Sequence, residues 1–173
     1  MQHIEHFVDI GIALSTEKNH QALLEKILTS ALTLSHADAG TIYSVNDKQQ
    51  LVFDTVLNKS LNLHLGGTSQ NSIDFPNIDI FVYGQININA IVAVAAGTGN
   101  TINVKDAYRC HDYDLSAARI MDERTGYKTK SVLTIPMKNH QQDLNGVLQL
   151  INAQNSEGYS VEFSADIVKQ IKA

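Results

Sequence analysis

Two short apolar runs, Val132–Pro136 and Gly146–Ile151, are joined by a polar turn, and they restrict the fold more than any other feature of the chain. Each is too short for a typical helix and rich in branched side chains, which predicts adjacent antiparallel strands buried on both faces. Two polar residues interrupt this apolar fabric. Thr134 and Gln149 stand where packing alone would place another Val or Leu, so each needs a partner in the protein, a water or a ligand.

The remaining pattern supplies elements to cover such a sheet. Ile4, Phe7, Val8, Gly11 and Ile12 recur at helical spacing, and after a polar break so do Leu24, Ile27, Leu28, Ala31 and Ser35, with Asn19 placed to cap the second helix. The period then changes to two, and a β-hairpin is expected from about Ala39 to Asn58. Residues 59–85 carry turn chemistry, above all in Leu65–Ser72, and read as a long surface loop; the functional reading of this stretch is a mobile lid over a pocket. An alanine-rich segment from Asn87 predicts a short helix stopped by Gly97 or Gly99, followed by a short edge strand at Thr101–Val104. Leu115–Arg124 predicts another short helix that ends at Gly126. The closing segment starts with Ser164 as an N-cap and places Ile167, Val168 and Ile171 on one side. A helix this short is marginal alone in water, so it docks on the domain or begins a longer element.

Composition excludes several functions. With 173 residues the chain fits one domain, with or without short interaction helices, and no apolar run approaches the roughly 20 residues that span a bilayer. The first residues lack the basic and apolar regions of a signal peptide, so a cytoplasmic location without membrane contact is expected. A net charge of −5 without a lysine or arginine cluster argues against nucleic acid as a partner. One cysteine, Cys110, excludes an internal disulfide framework and thiolate-rich zinc sites. Three polar ligands within His111–Asp114 cannot easily converge on one ion from a short loop, so no metal is expected, and Gly97–Thr101 follows a helix and reads as a stop.

Four blocks in register carry a family resemblance: Asp106–Tyr108, Tyr113–Ser116, Asp122–Met137 (DERTGYKTKSVLTIPM) and Gly146–Asn152 (GVLQLIN). Together they resemble a GAF domain, in particular those ahead of HD-GYP, diguanylate cyclase or adenylate cyclase output modules in bacterial signalling proteins. The resemblance implies an α+β, PAS-related fold with a six-stranded antiparallel sheet, terminal helices on one face, and short helices and loops forming a small-molecule pocket on the other. It also implies three segments: a connector or dimerisation helix over 1–18, the GAF domain over 19–163, and the start of a C-terminal connector helix over 164–173. No catalytic residue and no cofactor are expected. The methionine sulfoxide chemistry of some free-standing GAF domains cycles thiols, and one cysteine leaves no internal resolving partner.

Cyclic-nucleotide-binding members of that family carry an Asn-Lys pair followed by Phe, Asp and Glu. Asn152, Phe163 and Asp166 resemble three of these, but Ala153 replaces the lysine and Ile167 the glutamate. The plainer reading has Asn152 ending a strand and Asp166 favouring a helix N-terminus. Cys110 beside His111 resembles a bilin-attachment pair, yet it precedes the helix that should contain it, and a plain thiol is expected.

Strand parity selects the ligand candidates. Leu148 and Leu150 with Leu133, Ile135 and Met137 suit packing against helices, which leaves Thr134 and Gln149 on the pocket side, joined by Thr41 and Tyr43 from the first strand. Asp106 and Tyr108 are expected at the rim, where Asp106 alternatively caps a turn and Tyr108 alternatively belongs to the core. The expected function is a regulatory module that binds a small molecule, cyclic nucleotide being one candidate, and signals through its terminal helices to an output domain of a larger chain. A homodimer formed through those helices is the expected assembly, and a structural dimerisation module with a filled pocket is the alternative.

Overall fold

Leucine, isoleucine and alanine at helical spacing form α1 (His20–Ser35), which buries Leu23, Leu24, Ile27, Leu28, Ala31 and Leu32. The computed structural model describes residues 20–172. The apolar set at Ile4–Ile12 and the Asn19 cap lie outside the described residues.

Period-two sequence follows as β1 (Ala37–Val45) and β2 (Gln50–Asn58), the expected hairpin, with one irregularity where Ile42 and Tyr43 meet Thr55 and Phe53. Residues 59–85 are not one loop. They hold β3 (Leu63–Gly66), β4 (Ile78–Asp79), β5 (Phe81–Val82) and the start of β6 (Gln85–Ile86), strands of two to four residues that are too short to display a readable alternation. Helix α2 (Ile91–Thr98) stops at Gly99, whose φ of 73° lets its N–H reach the Ala95 carbonyl at 2.9 Å, as the glycine pattern predicts. Then come β7 (Ile102–Val104) and α3 (Ser116–Thr125), the latter stopped by Gly126. The two apolar runs form β8 (Val132–Lys138) and β9 (Leu144–Gln154), and β10 (Ser160–Val161) precedes α4 (Ala165–Lys172).

Six strands make one antiparallel sheet in the order β3-β2-β1-β9-β8-β7. The short β4 and β10 add to β2 and β9, while β5 and β6 pair apart as a hairpin. Long β9 lies near the centre between β1 and β8, which explains why its sequence is apolar on both faces.

Alternation along these strands divides the core. On one face Ile42, Leu133, Ile135, Leu148 and Leu150 pack with α1, Phe163 and Ile171 of α4. On the other, Val92 and Ala96 of α2 meet Tyr43, Leu51, Ile80 and Val147, while Ile91 and Ala95 meet Ile102, Val104 and Val132. Ser164 caps α4 by accepting the Ile167 N–H at 3.2 Å, and Asp166 lies in its first turn. Among the described residues no helix is long and apolar enough to cross a membrane.

Candidate functional site

Register brings four of the six candidates together. Gln149 of β9 stands opposite both Thr41 of β1 and Thr134 of β8, and Tyr43 is opposite Val147 one step along the same face. Gln149 Nε2 donates to Thr134 Oγ1 at 3.2 Å, so the two misfit polar residues partner each other across the strands. Thr134 is fully buried and Gln149 partly so. Tyr43 lies against Phe53, ring centroids 4.7 Å apart, and burial pushes its hydroxyl above the ordinary tyrosine range.

Small side chains in α2 set how closely it covers this face. Ala93 and Ala95 are fully buried, and a Cβ on Gly97 would come within 2.8 Å of Ile86. Two shallow hollows open elsewhere. One, of about 360 Å³, is lined by Asn103, Ala165, Val168, Lys169 and Lys172; the other, of about 380 Å³, is lined by residues including Gln21, Asp54, Gly67, Asn71 and Ile73. Neither touches any of the six candidates. Asp54 faces the second hollow half-buried, and burial raises its carboxyl against the lowering influence of His20.

Asp106 and Tyr108 belong to a different group. Asp106 Oδ1 accepts the Tyr108 N–H at 3.0 Å, a turn within its own segment. The exposed Tyr108 ring is flanked by Arg119 at 6.0 Å and Lys128 at 5.5 Å, while its hydroxyl donates to Asp122 Oδ2 at 2.6 Å. That bond to a carboxylate, followed by burial, raises the Tyr108 hydroxyl. Asp122 is the buried side chain of α3, and it also accepts the Thr129 N–H and hydroxyl, each at 2.8 Å.

Next to this cluster runs a seam that sequence reasoning missed. Tyr127 donates its hydroxyl to buried Asp38 Oδ2 at 2.8 Å and receives Asn152 Nδ2 at 2.9 Å. Burial, then the Asp38 carboxylate, pushes that hydroxyl well up. Asn152 Nδ2 also donates to the Lys128 carbonyl at 2.7 Å, and Oδ1 accepts the N–H groups of Lys130 at 2.7 Å and Ser131 at 3.1 Å. Asn152 does not end its strand, because β9 continues to Gln154. Its φ of 59°, which asparagine tolerates better than most residues, turns the side chain back into the segment before β8. The three residues of the imperfect cyclic-nucleotide motif thus have architectural places: Asn152 in the seam, Phe163 in the core under the helices, and Asp166 in the first turn of α4.

His111–Asp114 is largely exposed loop, and Asp114 Oδ1 accepts the Ser116 N–H at 2.9 Å where α3 begins. Among the described residues no group of three or more His, Cys, Asp or Glu could hold a metal ion.

The fold and its two faces define the class first: an α+β domain whose closing helix packs beside α1 on one face of a six-stranded antiparallel sheet, with a short helix over the other. The model of the family described as GAF domain matches residues 19–172, and this chain belongs to that family. It is 28% identical over 152 residues to the dual 3′,5′-cyclic-AMP and -GMP phosphodiesterase 11A of Takifugu rubripes, covering 88% of this chain and 16% of that protein. It is 29% identical over 154 residues to the cGMP-specific 3′,5′-cyclic phosphodiesterase of Drosophila melanogaster, covering 87% of this chain and 13% of that one. This chain therefore spans well under a fifth of the length of these curated relatives. In fold it is similar to the GAF domain of a phosphoenolpyruvate-protein phosphotransferase from Coxiella burnetii, with a TM-score of 0.64 at 14% identity over 97% of this chain and 84% of that one. The corresponding Acinetobacter domain gives 0.63 at 12% identity over 99% and 87%.

Proposed function

We propose that this chain is a non-catalytic regulatory GAF domain of a larger signalling protein, and that a small molecule held between α2 and the Gln149–Thr134 pair is its input. The observation that carries this reading is the pair itself. A hydrogen-bonded amide and hydroxyl occupy a sheet face where two aliphatic side chains would fold at less cost, and the helix above them presents alanines. A displaced α2 would expose both groups together as a donor and acceptor set, with Thr41 and Tyr43 beside them. Asp106 and Tyr108 are the proposed rim.

In this reading residues 1–18 and 164–173 are connector segments around a domain at 19–163, and they join two copies and an output domain. The relatives named above are phosphodiesterases of cyclic nucleotides, which makes cyclic AMP and cyclic GMP the first ligands to try. The experiment is a thermal denaturation series with each nucleotide, alongside native mass spectrometry of the purified protein. A ligand that binds only the folded state raises the melting temperature with concentration. Unchanged melting with both nucleotides removes cyclic nucleotide from the proposal, and a clean apoprotein mass as well removes a resident ligand.

One observation favours a second reading, a dimerisation module with a filled pocket. Val92 and Ala96 pack directly on Tyr43 and Val147, so the face is already occupied by the protein's own side chains. A bound ligand separates the two readings, and sedimentation tests the dimer that both carry. A monomer at all concentrations rules out the dimerisation module for this chain.

A further inference from the structure

Glu25 of α1 reaches over the β2–β3 edge of the sheet and accepts hydrogen bonds from His64 Nε2, from the Thr68 N–H at 3.1 Å and from the Thr68 hydroxyl at 2.5 Å. These are charge-assisted bonds, roughly twice as strong as neutral ones. The segment they hold is folded on itself: the Gly66 N–H donates to the Asn71 carbonyl at 2.8 Å, and Asn71 Nδ2 donates to the His64 carbonyl at 2.9 Å. Gly66 and Gly67 both have positive φ, and a Cβ on Gly67 would come within 2.5 Å of Glu25 Oε1. From there the same segment crosses to the opposite face. Phe75 packs with its ring tilted against Phe53, centroids 5.2 Å apart, Ile80 is buried in the cluster of Tyr43, Val92 and Ala96, and Ile86 abuts Gly97 of α2.

A single stretch, 63–90, is therefore fastened to α1 on one face and seated on α2 on the other, while the sheet between is continuously hydrogen-bonded. We propose that this stretch is a strap that couples the seat of α2 to α1 around the sheet edge, with Glu25 as its anchor. The inference rests on the regulatory reading above for its purpose, though not for its test. The anchor is the polar end of the strap. Its donors and acceptor sit close enough to solvent for water to replace them, unlike the apolar contacts that hold α1 to the sheet.

Hydrogen exchange on the full chain, without any ligand, tests it from both ends. Glu25→Ala is expected to speed exchange in α2 and at Asn87, whose N–H donates to the Ile80 carbonyl, by roughly fivefold or more, the lower end of coupling between linked sites. Gly97→Ala, which forces Ile86 outward, is expected to speed exchange at 64–72 by a similar factor because coupling is reciprocal. If either effect stops at its own end of the segment, the strap is overturned. Should Glu25→Ala fail to fold, Thr68→Val, which removes one donor, takes its place with a smaller effect in the same direction. A failed strap leaves ligand binding standing, and a failed ligand screen leaves these exchange rates unaffected.

Discussion

The side-chain amide of Asn152 donates to the Tyr127 hydroxyl at 2.9 Å, tying the late part of β9 to the segment that enters β8. This one side chain makes four hydrogen bonds, two of them to the backbone N–H groups of Lys130 and Ser131.

Replacing Asn152 by alanine strips those partners and leaves the left-handed backbone without the short polar side chain that lets asparagine tolerate it. The expected loss is about 2–4 kcal/mol, from unsatisfied buried groups together with conformational strain. Glycine at the same position recovers the strain and not the bonds, so the urea midpoints should rank asparagine above glycine above alanine. Equal midpoints for all three would remove the seam from the account of stability.

Asp122→Asn keeps the shape of the side chain but sets an amide against the Thr129 donors, and is expected to loosen α3 at a cost of about 1–3 kcal/mol. Limited trypsin digestion reads this directly, because Arg119 and Arg124 lie on α3. Cleavage at these arginines should accelerate while the sheet stays resistant. Unchanged cleavage would mean that α3 is held by something other than its carboxylate.

The double substitution Thr134→Val with Gln149→Leu replaces both members of the polar pair by aliphatic groups. Thermal stability is expected to stay level or rise, since removing both partners of a buried bond leaves no orphan. Thr134→Val alone costs little, because Gln149 retains access to water. A large drop in melting temperature for the double variant would make the pair structural, and would weaken it as a ligand site.

The sheet could be read from the sequence because its information is local. Alternation in Val132–Met137 and Val147–Ile151 assigns Leu133, Ile135, Leu148 and Leu150 to the face beneath the helices, and the structure places them there. Gly99 and Gly126 end their helices for equally local reasons. The seam and the anchor are different in kind. Tyr127 and Asp38 are 89 positions apart, and Glu25 and Thr68 are 43, so no period or spacing connects them. Asn152 is visible as the last residue of the Gly146–Asn152 block and the first of an imperfect motif, while its left-handed backbone inside a strand leaves no trace in residue type beyond asparagine's tolerance for it.

Acid titration should expose the Glu25 anchor. Burial alone would raise its carboxyl, but the Thr68 hydroxyl and N–H, with His64, outweigh that and hold it below its ordinary 4.5. A carboxyl depressed in the folded state contributes stability that is complete above its unfolded value and lost as pH falls through the folded one. The melting-temperature gap between the wild type and Glu25→Gln should therefore be constant above about pH 4.5 and close below it. The Glu25 charge also raises the neighbouring Asp54 carboxyl, so the comparison is made in an Asp54→Asn background. A gap that persists unchanged into strong acid would contradict the charge-assisted anchor.

Helix α3 buries a carboxylate and leaves Ile120 and Met121 on its surface at 50% and 38% exposure. Heat capacity and denaturant sensitivity both follow the apolar area uncovered by a transition. Release of α3 would uncover very little, so its own equilibrium should be nearly blind to urea and free of the curvature with temperature that marks unfolding of the sheet.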